Sequence, residues 1–299
     1  MLAEHSGEAA AVFTAFCWTI TALSFEVATK KVGSFAVNLI RIVLAIFFLA
    51  IFCYFKRGIA LPVDANFHNW LWLSISGILG LTLGDYFLFK SYAMITSRKS
   101  QLVMTMVPVI TVILGWTLMS EKLSKMNLLG ITITITGILV TLTNKNYKEI
   151  ENDRKLRVKG LFYAFLGAIG QALGLILSKK GMGNYNAFAS SEIRLIVALV
   201  GYIVLITILK RWSLITAALY NKRALMSISI GSFFGPFLGI SFSLIAIQNT
   251  STGIASTIMA IVPILIILPS VYIYKQKISS REILGAFISI AGVALLFFK

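Results

Sequence analysis

Long apolar stretches separated by short polar segments make up most of this chain. Ten stretches can be distinguished, each bounded by charged residues, Asn, Gly or Ser. They run over approximately 9–29, 35–55, 69–92, 99–119, 126–143, 158–178, 187–209, 224–247, 251–274 and 282–298. Their apolar residues are continuous and do not alternate with polar ones, so each stretch predicts a helix. A helix of about 20 residues is long enough to cross a bilayer. The pattern therefore predicts an all-α membrane protein of ten transmembrane helices.

Part of the first half of the chain recurs in the second half at a constant offset of 155 positions, so that Gly80 corresponds to Gly235. The first copy contains Gly80, Leu83, Gly84, Met104, Val107, Pro108, Lys122, Ser124, Leu129, Gly130 and Gly137. The second contains Gly235, Leu238, Gly239, Met259, Val262, Pro263, Lys277, Ser279, Leu284, Gly285 and Gly292. Pro and Gly in fixed register over three successive apolar stretches indicate an internal duplication.

The charged segment 145–157 separates two halves, 1–144 and 158–299, each with five predicted helices. Because five is an odd number, the second half enters the membrane from the opposite side, and the two halves are predicted to be inverted repeats. Inverted repeats have two nearly equivalent packings, open to one face or the other, with a shared site near the midplane. The alternative is that duplication produced only a stable bundle.

Composition supports the membrane assignment and excludes several functions. The chain is 58% hydrophobic and 13% charged, whereas a soluble domain has a charged fraction of about 25%. Cys17 and Cys53 lie in apolar stretches and indicate no disulfide framework, and two histidines are too few for a zinc site, so we expect no metal and no cofactor. The net charge of +16 is explained by membrane topology and anionic lipids, and no pattern of basic and aromatic residues indicates nucleic-acid binding.

Several motifs are shared with a known family. Pro108 and Pro263 lie in the fourth and ninth stretches, followed by the related motifs SEKLS at 120–124 and KQKIS at 275–279, and then by Leu-Gly with a second Gly seven positions later. In these features the chain resembles the EamA branch of the drug/metabolite transporter superfamily. The resemblance implies a multi-pass carrier of the cell (inner or plasma) membrane that exports an amino acid-like, drug-like or other small polar or amphipathic solute by alternating access. It also implies a central cavity walled by the first four helices of each half.

Small residues and prolines predict where helices pack closely or bend. Gly80 and Gly84 are four residues apart and form a smooth strip that another helix backbone can approach, and Gly170 and Gly174 form a shorter one. Pro236 removes a backbone hydrogen bond and predicts a kink, which could be a hinge or a static bend. The candidate hinge and packing residues are Gly80, Gly84, Pro108, Gly235, Pro236, Gly239 and Pro263.

A charged residue at the centre of a membrane helix is unfavourable by about 2.5–3.5 kcal/mol and is therefore a functional candidate. Asp85 lies near the middle of the third stretch, and its repeat counterpart is the apolar Ile240. We predict that Asp85 faces the cavity, where it binds a cationic group of the substrate or takes up a proton. The alternative is an ion pair with Arg41 or Lys90.

Arg41 and Arg194 are retained in both repeats, and the inverted symmetry predicts them near opposite mouths of the cavity. There they could gate the cavity or bind a carboxylate or phosphate, although long side chains that extend to the lipid headgroups are an alternative. Glu192 is two residues from Arg194 and should point elsewhere. The other candidates for substrate binding or coupling are Lys90, Glu192, Asn38, Tyr86, Gln101, Gln171 and Gln248. The uncharged ones line the cavity or only join helices by a hydrogen bond.

No motif of a nucleotide hydrolase, metalloprotease, serine hydrolase or dinucleotide-binding enzyme is present, so we predict no enzyme activity. A lipid- or polyprenyl-handling membrane protein or enzyme is the alternative. The expected partners are a small-molecule substrate and the lipid bilayer, with proton coupling as an option, and the sequence does not indicate the oligomeric state. Two indications of the orientation in the membrane disagree. The excess of Lys and Arg in the loops after odd-numbered helices places both termini outside the cytoplasm, whereas the family resemblance implies that they lie inside it.

Overall fold

The computed structural model describes residues 6–119, 124–142, 154–250, 252–272 and 278–295. Within these ranges the chain is helical and contains no strand. Residues 120–123 and 275–277 of the two repeated motifs, and residues 145–153 of the predicted linker, lie outside the described residues. The helix that follows the linker begins at Arg154, inside the predicted linker range, because basic residues continue a helix readily.

The helices of the first half are α1 (Ser6–Arg57), α2 (Phe67–Ser76), α3 (Asp85–Met94), α4 (Ser97–Met104), α5 (Met106–Met119) and α6 (Lys125–Leu142). Those of the second half are α7 (Arg154–Met182), α8 (Ala187–Ile208), α9 (Trp212–Leu219), α10 (Lys222–Ser232), α11 (Ile240–Asn249), α12 (Thr252–Met259), α13 (Val262–Leu265), α14 (Ile267–Tyr272) and α15 (Ser280–Leu295). π-Helical segments join α2 to α3 (Gly77–Gly84) and α10 to α11 (Phe233–Gly239).

Among the described residues, six helical stretches are long and apolar enough to cross a bilayer. They are Ser6–Arg57, Phe67–Met94, Lys155–Met182, Ala187–Ile208, Lys222–Asn249 and Ile254–Tyr272. A shorter apolar helix covers Lys125–Thr141. These stretches are those of a multi-pass integral membrane protein.

Helix α1 is interrupted at Gly33, which has φ 79° and ψ 163°. A side chain at this position would be strained, since this backbone conformation is open almost only to glycine. The break falls between the predicted stretches 9–29 and 35–55, so α1 consists of two helical parts that meet at Gly33 with no intervening loop.

The two π-helical segments occupy corresponding positions in the repeats, since Gly80 and Gly235 lie in them. Pro236 is inside the second segment, where the sequence predicted a kink. The chain there forms a wider helical turn, which accommodates the missing backbone donor without ending the helix. The first segment has no proline, so the wide turn does not depend on one.

The two halves meet where α7 crosses the first π-helical segment and α3. A Cβ atom added to Gly170 would lie 2.6 Å from the Cα of Gly84, and one added to Gly174 would lie 2.9 Å from the Cα of Gly80. The two glycine strips found in the sequence therefore face each other, and the helix backbones are in direct contact. Helices in membranes use small residues for such close approach because dispersion forces act only at short range.

A second close contact between the halves joins α6 and α15. A Cβ atom on Gly285 would lie 2.6 Å from the carbonyl oxygen of Gly137, and one on Gly292 would lie 2.9 Å from that of Gly130. All four glycines belong to the repeated sequence pattern, so the repeat retains a packing surface that the two copies use against each other.

Gly170→Ala should destabilise the protein, because the new Cβ cannot fit against the backbone of Gly84 unless the two halves move apart. Overpacking of this kind costs about 1–3 kcal/mol. Thermal unfolding of the purified protein in detergent measures the effect. Phe162→Leu, at a position 55% exposed on the same helix, is the control and should unfold close to wild type. Equal melting temperatures for Gly170→Ala and wild type would contradict the close contact.

Candidate functional site

A cavity of about 140 Å³ lies between the two halves. This volume is roughly ten times the least that holds one water molecule, which leaves room for a small organic solute. Its walls come from α1, α3, α4 and α5 of the first half and from α7, α8, α11, α12 and α13 of the second, together with the π-helical segments. The polar and charged side chains on it include Arg41, Asp85, Gln101, Gln171, Arg194 and Ser243.

Asp85 is buried and both of its carboxylate oxygens have partners. Nη2 of Arg41 donates to Oδ2 at 2.5 Å, and Nε2 of Gln171 donates to Oδ1 at 2.5 Å. The Nε of Arg41 in turn donates to Oδ1 of Asn38 at 2.9 Å, and the amide of Asn38 donates to the carbonyl of Ser34 at 3.0 Å. A buried charge is tolerated when it is paired with an opposite charge and accepts hydrogen bonds in this way. The sequence left open an ion pair of Asp85 with Arg41 or with Lys90, and the structure contains the pair with Arg41.

Arg41 is also held by aromatic rings. Its guanidinium carbon lies 4.8 Å from the ring centre of Phe89 and 5.9 Å from that of Phe25. Such cation–π contacts stabilise a desolvated arginine. Arg41 is therefore bound on several sides by protein groups.

Arg194 lines the same cavity and is only 4% exposed, yet its Nε has no hydrogen-bond partner in the described part of the chain. It is close enough to Asp85 for an electrostatic interaction, without a hydrogen bond between them. Gly80 and Gly174 leave space for its guanidinium, since a Cβ on Gly80 would lie 3.2 Å from Nη2. The glycine contact between the halves thus also accommodates this side chain.

Inverted symmetry predicted Arg41 and Arg194 at opposite mouths of the cavity, and the structure does not place them there. They enter from α1 and α8 but both approach Asp85. The long side chains extend inward to the buried carboxylate because it offers the stronger electrostatic interaction, and neither extends to the lipid headgroups.

Aromatic and proline residues complete the walls. Trp18, Phe25, Phe89 and Tyr92 line the cavity, and Nε2 of Gln101 donates to the hydroxyl of Tyr92 at 2.7 Å. The cavity is therefore apolar over much of its surface, with charge concentrated near Asp85.

Pro108 and Pro263 line the cavity at the beginnings of α5 and α13, each just after a break in the helix. Proline is well placed in a first helical turn, where its missing N–H has no helical partner. The repeated prolines therefore mark two helix breaks that flank the same cavity.

Five sequence candidates are not part of the cavity lining: Asn38, which holds Arg41, and Lys90, Tyr86, Glu192 and Gln248. Lys90 donates to the hydroxyl of Tyr86 at 3.1 Å, so these two satisfy each other and Lys90 does not pair with Asp85. Gln248 donates to the carbonyls of Gly183 and Tyr185 in the loop before α8. Glu192 is fully buried, does not line the cavity, and interacts electrostatically with Arg57.

Two ion pairs near the helix ends, each with a buried acid, were missed by the sequence interpretation. Arg98 is 4% exposed and pairs with Glu282 of the second half. Glu26 accepts hydrogen bonds from the backbone N–H of Ser97 at 2.9 Å and from Lys30 at 2.5 Å. All of these residues lie near ends of apolar stretches, where a charge looks like a loop residue. No sequence signal separates them from their exposed neighbours.

A polar cluster outside the membrane-spanning segments joins the loop after α1 to the loop before α8. Arg57 pairs with Asp64 at 2.5 Å, and the hydroxyl of Tyr185 donates to Asp64 at 2.8 Å. The hydrogen bond from Tyr185 is the main cause that holds the pKa of Asp64 below its usual value, and burial raises the pKa of Tyr185 to about 12. At neutral pH Asp64 is thus ionised and Tyr185 is neutral, and the two halves remain linked.

Comparison with known proteins identifies relatives over almost the whole chain. The model of the EamA-like transporter family matches twice, over residues 5–143 and 158–298. An uncharacterized transporter of Archaeoglobus fulgidus is 22% identical over 287 residues, which cover 94% of each chain. Solute carrier family 35 member G1 of Homo sapiens is 24% identical over 197 residues, which cover 62% of this chain and 54% of that protein.

Solved structures also share the fold, among them one crystal structure. It superposes with a TM-score of 0.66 over 98% of this chain and 96% of the other, at 16% sequence identity. Similarity at this level of identity concerns the fold alone.

Asp85→Asn should destabilise the protein, because it leaves Arg41 buried without a counter-ion. Removal of one partner of a buried pair costs about 3–5 kcal/mol. The double variant Arg41→Gln/Asp85→Asn should lose less stability than the two single variants together, and thermal unfolding of all four proteins measures this coupling. Strictly additive losses would show that the pair contributes nothing as a pair.

Proposed function

The chain belongs to the EamA-like transporter family, and on that basis we propose that it is a carrier that moves a small metabolite across the cell membrane by alternating access to the central cavity. The family and the names of the relatives point to a transporter and not to an enzyme. We propose export as the direction of net transport. The observation that carries the proposal is the cavity itself, which contains buried charges and lies between the two halves that match the family.

We propose ten membrane spans arranged as two inverted five-helix repeats. The 52 residues of Ser6–Arg57 exceed twice the roughly 20 that one span requires, and the break at Gly33 divides them into two. The family model matches each half separately, which agrees with a doubled unit and with 145–157 as the linker. Five spans in each half invert the second copy.

Alternating access requires contacts between the halves that can separate at one face while those at the other face hold. In the proposed arrangement, the cluster of Asp64 with Tyr185 lies at one end of the bundle, and the pair of Arg98 with Glu282 lies at the other. Each set joins the first half to the second. We propose that they close the two faces, and that the helix breaks beside Pro108, Pro263 and the π-helical segments allow the bending.

The alternative of a lipid-handling enzyme has less support. It requires several acids or histidines at one membrane face, whereas Asp85 is the only acid among the described residues that line the cavity. Proton coupling, if present, would use Asp85, and replacement by Asn should then abolish any dependence of transport rate on the pH gradient.

Ala260→Phe should abolish transport, since Ala260 lines the cavity and a phenyl ring would fill much of it. Purified protein in liposomes, screened for flux of radiolabelled amino acids, cationic drugs, organic acids and sugar phosphates, provides the assay. Ala291→Phe is the matched control on the exposed side of α15 and should transport like wild type. Absence of flux for every solute in wild type, or equal flux through both variants, would contradict a carrier that works through this cavity.

A further inference from the structure

We propose that the cavity binds an organic monocarboxylate with an apolar body, and that Arg194 holds the carboxylate. The inference rests on the proposed function, because it names the substrate class of the same cavity. It depends on three features of the described residues: one arginine without a hydrogen-bond partner, a net positive charge, and an acid that already has a counter-ion.

Arg194 is the residue available to a ligand. Its side chain is almost completely buried, its Nε has no partner in the described part of the chain, and it borders the cavity. A buried donor left without an acceptor is unfavourable, and more so when the group is charged. A carboxylate satisfies this need well, since its two oxygens match the planar fork of the guanidinium.

The internal repeat explains why Arg194 is available and Arg41 is not. Arg41 pairs with Asp85 of its own half. At the position that corresponds to Asp85, the second half carries Ile240, which also lines the cavity. The duplication therefore retained both arginines but only one acid, and the second arginine has no counter-ion of its own.

The charges in the cavity favour a monoanion over a zwitterion or a cation. Arg41, Arg194 and ionised Asp85 sum to one positive charge, which one carboxylate neutralises. The charge of Asp85 is already neutralised by its ion pair with Arg41, so the ammonium group of an amino acid finds no carboxylate without a counter-ion and lies near two guanidinium groups instead. The site should therefore reject amines and bind amino acids weakly.

The rest of the ligand should be apolar. Trp18, Phe25 and Phe89 form part of the wall beside the charged groups, and aromatic rings contribute large apolar contact areas. A hydrophilic body would lose its hydration against these rings without replacement hydrogen bonds.

Three probes with the same phenylethyl body test this assignment: 3-phenylpropionate, phenylalanine and 2-phenylethylamine. Binding is measured by thermal stabilisation of the purified full-length protein in detergent, and transport by counterflow in liposomes. The carboxylate should bind at least about tenfold more tightly than the other two, a difference that corresponds to about 1.4 kcal/mol. Equal or tighter binding of phenylalanine or the amine would overturn the proposal, as would tighter binding of phenyl phosphate.

Variants of Arg194 identify the anchor. Arg194→Gln should weaken binding of 3-phenylpropionate by about tenfold or more. Arg194→Lys should bind with intermediate affinity, because lysine retains the positive charge but lacks the planar guanidinium group that donates two parallel hydrogen bonds. Lys90→Gln, which lies outside the cavity, is the control and should bind like wild type. Unchanged affinity in a folded Arg194→Gln protein would overturn the proposal. If the variant does not fold, the probe series on the wild-type protein still tests the preference for a carboxylate.

The two proposals can fail separately. Flux of phenylalanine or of the amine in preference to the carboxylate would overturn this inference and leave the carrier proposal intact. Absence of flux for every solute of the wider screen would count against the carrier, whereas binding of the carboxylate in detergent would still support the Arg194 site.

Discussion

The structure depends on the neutralisation of charge inside a bundle that lies in lipid. Asp85 is placed where a free carboxylate would be strongly unfavourable, and it is stable there because Arg41 and Gln171 bond to its two oxygens. These partners come from α1 and α7, one in each half of the chain. The same interaction that neutralises the charge therefore also joins the two halves around the cavity.

Glycine makes that junction possible. Gln171 can reach Asp85 because α7 approaches the first π-helical segment closely enough for Gly170 and Gly84 to touch. A larger residue at either position would separate the backbones and lengthen the bond to the carboxylate. Packing by small residues and the polar network of the cavity are thus two consequences of one helix crossing, and neither would persist without the other.

Sequence reasoning predicted the all-helical, membrane-spanning character correctly, because a lipid environment leaves a continuous apolar stretch few other structures, whereas the count of ten helices stays a prediction. It also selected Asp85, Arg41 and Arg194, since the energetic cost of an intramembrane charge can be read from position alone. It could not show which arginine pairs with Asp85, because the choice depends on the distance between helices that are far apart in sequence. The pair of Arg98 and Glu282 was missed for the same reason, since both residues lie at helix ends that resemble loops.

Departures from internal symmetry carry the chemistry of this protein. Where the copies agree, as in the paired glycines and in Pro108 and Pro263, they specify packing and helix breaks that both halves need. Where they differ, at Asp85 and Ile240, the cavity acquires a net charge and one arginine without a counter-ion. A perfectly symmetric pair of acids would neutralise both arginines and leave no group for a ligand to neutralise. The proposed carboxylate site therefore depends on this asymmetry, since Ile240 leaves Arg194 without the partner that Asp85 provides for Arg41.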